Sequence, residues 1–117
     1  VRSKAITTSN MGTAVKILEI PAKTFIPPRG VVILVETLFG GGTPSIIVGD
    51  ADDADGWIDS AEITETTAGL YSGAAEFQVS GKYYSSAGNL QFTSNTDLTS
   101  GKAYVFAYLV PVGDLLD

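Results

Sequence analysis

Apolar and polar positions alternate with a period of two along most of this chain, the spacing of half-buried strands. From Thr13 to Ile20, Ala14, Lys16, Leu18 and Ile20 share one side and Val15, Ile17 and Glu19 the other. Gly30 to Phe39 contains Val31-Val32-Ile33-Leu34-Val35, apolar on both faces, which predicts a strand inside a two-layer stack. Thr43 to Val48 is a further β-branched run, and Lys82-Tyr83-Tyr84 and Asn89 to Thr93 flank a Ser-Ser-Ala-Gly turn. From Lys102 to Val110, Ala103, Val105, Ala107 and Leu109 face one way, and Tyr104, Phe106, Tyr108 and Val110 the other. Trp57 to Glu65 reads as another short strand; Leu70 to Ser80 is less regular, with Gly73 and two alanines inside it.

Gly, Pro and Asn punctuate these runs. Pro27-Pro28-Arg29-Gly30 reads as a rigid turn into a strand, and Gly40-Gly41-Gly42 as a turn that needs positive φ. Short strands at roughly 8–14-residue spacing predict an all-β fold, a single antiparallel β-sandwich, jelly-roll-like, with little helix. No segment carries a sustained i, i+3, i+4, i+7 apolar stripe with helix caps. Residues 1–12 are small and polar and read as an N-terminal arm or irregular lead-in; residues 13–117 form the sandwich domain.

The densest candidate chemistry lies after the Ile46-Ile47-Val48 strand. Gly49-Asp50-Ala51-Asp52-Asp53-Ala54-Asp55-Gly56-Trp57-Ile58-Asp59 places five aspartates within ten residues. Aligned to a twelve-residue calcium loop starting at Ala51, Asp53, Asp55, Gly56, Asp59 and Glu62 fall at positions 3, 5, 6, 9 and 12. Ala51 has no ligand for the first position, and the flanks are strands rather than helices. The competing reading is a solvated acidic loop in which aspartates cap backbone N–H groups and Gly56 adopts a left-handed conformation. Calcium at Asp53, Asp55, Asp59 and Glu62 is thus one expectation; otherwise no cofactor is expected. Trp57, the single tryptophan, either anchors this loop in the core or sits at an interface.

Composition narrows the functional classes. The chain has 117 residues, enough for one domain with its own core. It contains no His and no Cys, so Ser-His-Asp and Cys-His catalysis and disulfides are excluded, and zinc ligation nearly so. No GxxxxGK[ST] or GxGxxG loop opens a helix. The aspartates lack walls that would raise one carboxyl for glycoside hydrolysis. An enzyme is therefore not expected. The net charge is −6 and the seven Lys and Arg are scattered, which disfavours nucleic acid and anionic membranes. No apolar run approaches a bilayer span, and the first residues lack the apolar segment of a signal peptide. Charged residues make up only 17%, low for a soluble monomer, which suggests a surface partly covered by partners. The five tyrosines fit strand aromatics with hydroxyls at the rim better than a sugar-stacking platform.

The stretch Gly42-Thr43-Pro44-Ser45-Ile46-Ile47-Val48-Gly49-Asp50, followed by the Asp/Ala loop and Trp57-Ile58, resembles small β-sandwich virion proteins of tailed bacteriophages. Phe25 to Val32, Ala68-Gly69-Leu70-Tyr71, Lys82-Tyr83-Tyr84, Asn89 to Thr93 and Thr99-Ser100-Gly101 extend the resemblance over roughly Ile20 to Val110. The resemblance implies a capsid decoration or head-fibre protein, a homotrimer on the virion exterior with the major capsid protein as partner, assembled in the bacterial host cytoplasm. On that reading the chain stabilises the shell, and residues 1–12 order against it. The alternative is a tail or head fibre module that binds a host receptor or glycan. The family works through surfaces, so no residue role carries over.

Overall fold

The computed structural model describes residues 1–9 and 11–113; the expected domain's last residues, 114–117, lie outside them. The strands are β1 (Val15–Ile20), β2 (Thr24–Ile26), β3 (Val31–Gly40), β4 (Ile46–Gly49), β5 (Gly69–Tyr71), β6 (Lys82–Tyr84), β7 (Gly88–Ser94), β8 (Ser100–Ala107) and β9 (Val110–Pro111). A short helix, α1 (Glu76–Ser80), and a 3-10 turn at Ser60–Glu62 lie between the strands. The all-β expectation holds. The strands pair antiparallel in three sheets ordered β1-β7-β4, β6-β2-β9 and β5-β3-β8. A β-sandwich is consistent with this architecture. A jelly roll has eight strands in two sheets; here the hydrogen-bonded strands group by threes.

The three sheets share one core. β3 contributes Val31, Ile33 and Val35, all 0% exposed, and β8 sets Ala103, Val105 and Ala107 opposite them. Ile20, Ile26, Ile46, Val48, Leu90 and Phe92 bring the other sheets into the same cluster. β1 departs from simple alternation. A bulge between Lys16 and Leu18 slips the pairing with β7, so Ile17 and Leu18 are both buried. The Pro27–Gly30 turn is closed by the Gly30 N–H donating to the Pro27 carbonyl at 2.9 Å, with Arg29 at φ 61. Gly41 and Gly42 take φ 91 and 52, as their turn requires.

The lead-in lies on the body of the domain. Ser3 and Ile6 N–H donate to the Val105 and Ala103 carbonyls at 2.7 Å each, and Ala103 N–H returns a bond to Ile6 at 2.9 Å. Ile6 is fully buried. The Lys4 N–H donates to Ile17 of β1, so this segment ties the β8 edge to another sheet.

Two expected strands are corrected. Residues 57–65 hold one bridge, Val48 to Ile58, and then the 3-10 turn. Asp59 and Glu62 form a reciprocal capping box, which satisfies N–H groups locally and favours a turn over a strand. Residues 70–80 divide into the short β5 and α1. The α1 residue Gln78, 1% exposed, exchanges hydrogen bonds with both the N–H and the carbonyl of Val31. That two-way amide pairing pins the helix to the start of β3 and leaves neither buried polar group unpaired.

Candidate functional site

The Asp-rich loop leaves β4 and returns to it. Val48 and Ile58 exchange backbone hydrogen bonds of 2.9 Å, closing the loop at its base. Asp50, 4% exposed, organises the interior. Its Oδ1 accepts the N–H groups of Asp52 and Asp53 at 3.0 and 3.1 Å, an Asx-turn arrangement. Its Oδ2 accepts the Lys82 Nζ and the Tyr84 hydroxyl, each at 2.7 Å. The Tyr84 oxygen in turn accepts the Trp57 indole N–H at 3.1 Å. A carboxylate near the end of β4 therefore joins its own loop to β6.

The electrostatics follow from this geometry. Burial pushes the Asp50 carboxyl up, but the bonds from Lys82 and Tyr84 outweigh it and hold the group below the usual carboxylate range. Burial pushes Lys82 down, and Asp50 and Asp52 more than offset it, so the ammonium is held above its ordinary value. Burial and the bond to Asp50 push the Tyr84 phenol far up. Lys82 Nζ also lies 4.4 Å from the Phe77 ring centroid and 5.0 Å from that of Tyr84. Lys82, its side chain 18% exposed, thus pairs with the buried Asp50 carboxylate and with the exposed Asp52.

Of the expected calcium ligands, Asp53, Asp59 and Glu62 accept backbone N–H groups. Asp59 Oδ1 accepts the Ala61 N–H at 3.0 Å. Glu62 Oε1 accepts the Asp59 N–H at 3.0 Å, and its Oε2 accepts Ala74 N–H. Asp53 Oδ1 accepts the Asp55 N–H at 3.4 Å. A side-chain hydrogen bond with Asp53, aided by burial and by the charges of Asp53 and Asp59, raises the Asp55 carboxyl above its ordinary value. Asp55, Asp59, Glu62 and Glu76 line one shallow depression, with Asp53 not among its walls. Among the described residues no three acidic side chains are placed to hold a metal ion together.

Trp57, a candidate interface residue from its sequence, is a core residue. It is 0% exposed, bonded to Tyr84, and packed edge-on to Phe77 with ring centroids 5.6 Å apart. Gly56 does not take the left-handed conformation expected of it. It is glycine for space, since a Cβ there would lie 2.3 Å from the Phe77 ring. The sequence carried signals for part of this: Asp59-Ser60-Ala61-Glu62 is a capping-box pattern. The meeting of Asp50 with Lys82 has no local signal, because 32 residues separate them.

Two surface features remain. A cleft of about 260 Å³ lies between the acidic loop and the β6–β7 turn, with Asp52, Lys82, Tyr83, Ser85, Ser86 and Asn89 among its walls. The second is the outer face of the β5-β3-β8 sheet. Residues paired in register point to the same side, so Val32 and Phe106 share this face, as do Leu34, Tyr104 and Leu70. Leu70 is 69% exposed and nearby Tyr108 68%. The Arg2 guanidinium lies 4.8 Å above the Tyr104 ring at the rim.

These features define an all-β domain with a braced acidic loop and an apolar outer sheet face. No protein-family model matches the chain, and no curated protein matches it significantly. A solved chain titled "Cyanophage Pam1 capsid asymmetric unit" is similar in fold, with a TM-score of 0.60. The likeness covers 95% of this chain and 84% of that one, at 15% sequence identity.

Proposed function

We propose that this protein is a bacteriophage virion structural component, a decoration protein that binds the outer surface of the capsid as an oligomer and stabilises the shell. The observation that carries this reading is the fold likeness to the cyanophage capsid chain over 95% of the present chain. The strand and turn pattern of the sequence supports it independently. So do the lack of His and Cys and the low share of charged residues and the apolar outer sheet face. The mechanism is burial of apolar surface across neighbouring capsid subunits, which adds to shell cohesion in proportion to the area removed from water. The binding partner on this reading is the major capsid protein.

The test is cosedimentation of the purified protein with phage heads stripped of it. Saturable binding, with greater resistance of the loaded heads to heat, is the expected result. Absence of binding to the heads, with binding to tails or fibres, moves the protein to the second reading. That reading is a fibre module for a host receptor or glycan, and the polar cleft beside Tyr83 and Asn89 favours it. A glycan array without signal removes it.

A further inference from the structure

We propose that the β6–β7 turn carries a groove, centred on Asn89, that binds a short neutral oligosaccharide. The inference rests on the glycan reading of this protein and adds to it the site and the class of sugar. Three depressions, of about 260, 380 and 280 Å³, follow one another around the turn. The first is the cleft beside Lys82. It shares Ala87, Gly88 and Asn89 with the second, and the second shares Glu19 and Asn89 with the third. Asn89 therefore lines all three. Pockets for drug-sized ligands run from about 300 to 1,000 Å³, so each depression has room for about one sugar ring.

The groove presents the groups that a sugar needs. Within the described residues, the side chains of Ser85, Ser86 and Asn89 make no hydrogen bond inside the chain. Hydroxyls and primary amides both donate and accept, as sugar hydroxyls do. Asp52 adds a carboxylate whose side chain is 81% exposed and is steadied by Lys82 Nζ at 3.0 Å. Glu19 adds another. It pairs in register with Asn89, so the two side chains stand together on one face of the sheet. Pro21 and Ala87 supply apolar wall for the C–H side of a ring. Beneath them, the bonds of Asp50 to Lys82 and Tyr84 fix the floor before a ligand arrives.

Charge and direction select the ligand. Asp50, Asp52 and Glu19 are balanced along the groove by Lys82, Lys16 and Lys4. No net field draws an anionic sugar to it. The groove crosses from β7 to β1 at the Glu19–Asn89 pair, whereas an extended peptide binds by lying along one strand edge.

Titration of the full chain with maltotriose, cellotriose and chitotriose, followed by two-dimensional amide NMR, tests the proposal, with trigalacturonate as the anionic probe. At least one neutral trisaccharide should bind with a Kd of about 1 mM or tighter, and trigalacturonate at least about tenfold more weakly. The shifted signals should centre on Asp52, Lys82, Ser85, Ser86 and Asn89. Asn89→Ala should weaken binding at least about tenfold. Ser86→Ala, at an exposed position that leaves the fold intact, should weaken it about threefold. Leu70→Ala, on the outer sheet face, should leave it unchanged. A trisaccharide that shifts other residues, and binds both groove variants like the parent, overturns the site while the glycan reading stands. Tighter binding of trigalacturonate overturns the class of sugar. No shift with any of the four at about 20 mM overturns the proposal, and a glycan array without signal then removes the glycan reading as well.

Discussion

The acidic loop and the outer sheet face are built on opposite plans. The loop is rich in charge, yet its key groups are enclosed: Asp50 is 4% exposed, and Trp57 lies beneath it at 0%. The sheet face is largely apolar, yet open, with Leu70 at 69% and, just past the end of β8, Tyr108 at 68%. In a free-standing domain the expected distribution is the reverse, since a buried charge and an exposed apolar patch both carry a cost. The loop's cost is offset internally by Lys82, Tyr84 and two backbone N–H groups. On the sheet face the Arg2 guanidinium lies over Tyr104, and Leu70 stays open to solvent. The acidic residues of the loop brace its own backbone and Lys82.

Substitutions separate the two regions. Trp57→Ala should have the largest effect, a loss of about 3–5 kcal/mol in urea unfolding, from the cavity and the orphaned Tyr84 contact. Asp50→Asn should come next, with a loss of about 2–3 kcal/mol, because it leaves Lys82 partly buried without its closest anion. The same lysine offers a control. Asp52 lies 3.0 Å from Lys82 Nζ but its side chain is 81% exposed. Asp52→Asn should therefore change stability by less than about 1 kcal/mol. A loss as large as that from Asp50→Asn would show that the ion pair, rather than the enclosed carboxylate, holds the loop.

The pH dependence sharpens the same point. Asp50 is held below its ordinary value of 3.8 in the folded chain, so its contribution is present above that value and is lost as pH falls through the lower folded pKa. Lys82 is held above 10.5, so its contribution is present below that value and is lost as pH rises through the higher folded pKa. Unfolding midpoints measured against pH should lose part of their acid slope in Asp50→Asn and keep it in Asp52→Asn. The smallest effect concerns calcium. Asp53, Asp59 and Glu62 already accept backbone N–H groups. Melting in calcium and in chelator should agree within about 1 °C by calorimetry.

The sheet face was legible in the sequence as far as strands go. The alternation in Lys102 to Val110 places Tyr104, Phe106 and Tyr108 together; β8 carries Tyr104 and Phe106 but ends at Ala107, before Tyr108. That the neighbouring strand also turns apolar residues outward was visible in the two-sided Val31–Val35 run. That run was expected to be covered on both faces, but Val32 and Leu34 are only half-buried. The loop was legible only in outline. Its position after β4 is plain in the sequence, but Asp50 stands there as one aspartate among five, because the partners that single it out come from β6. The 3-10 turn falls within Trp57 to Glu65, where the apolar residues suggest a strand and the Asp59–Glu62 capping box favours a turn. Backbone N–H groups lie 3.0 Å from Glu62 Oε1 and Asp59 Oδ1 in that cap. The β1 bulge left no trace in the alternation, since either side of that strand carries apolar residues.

Quantitative mass spectrometry of purified virions, comparing this chain with the major capsid protein, tests the central claim most directly. The account expects a fixed ratio between the two, retained across independent preparations and through gradient purification. Absence of the chain from purified particles would contradict it.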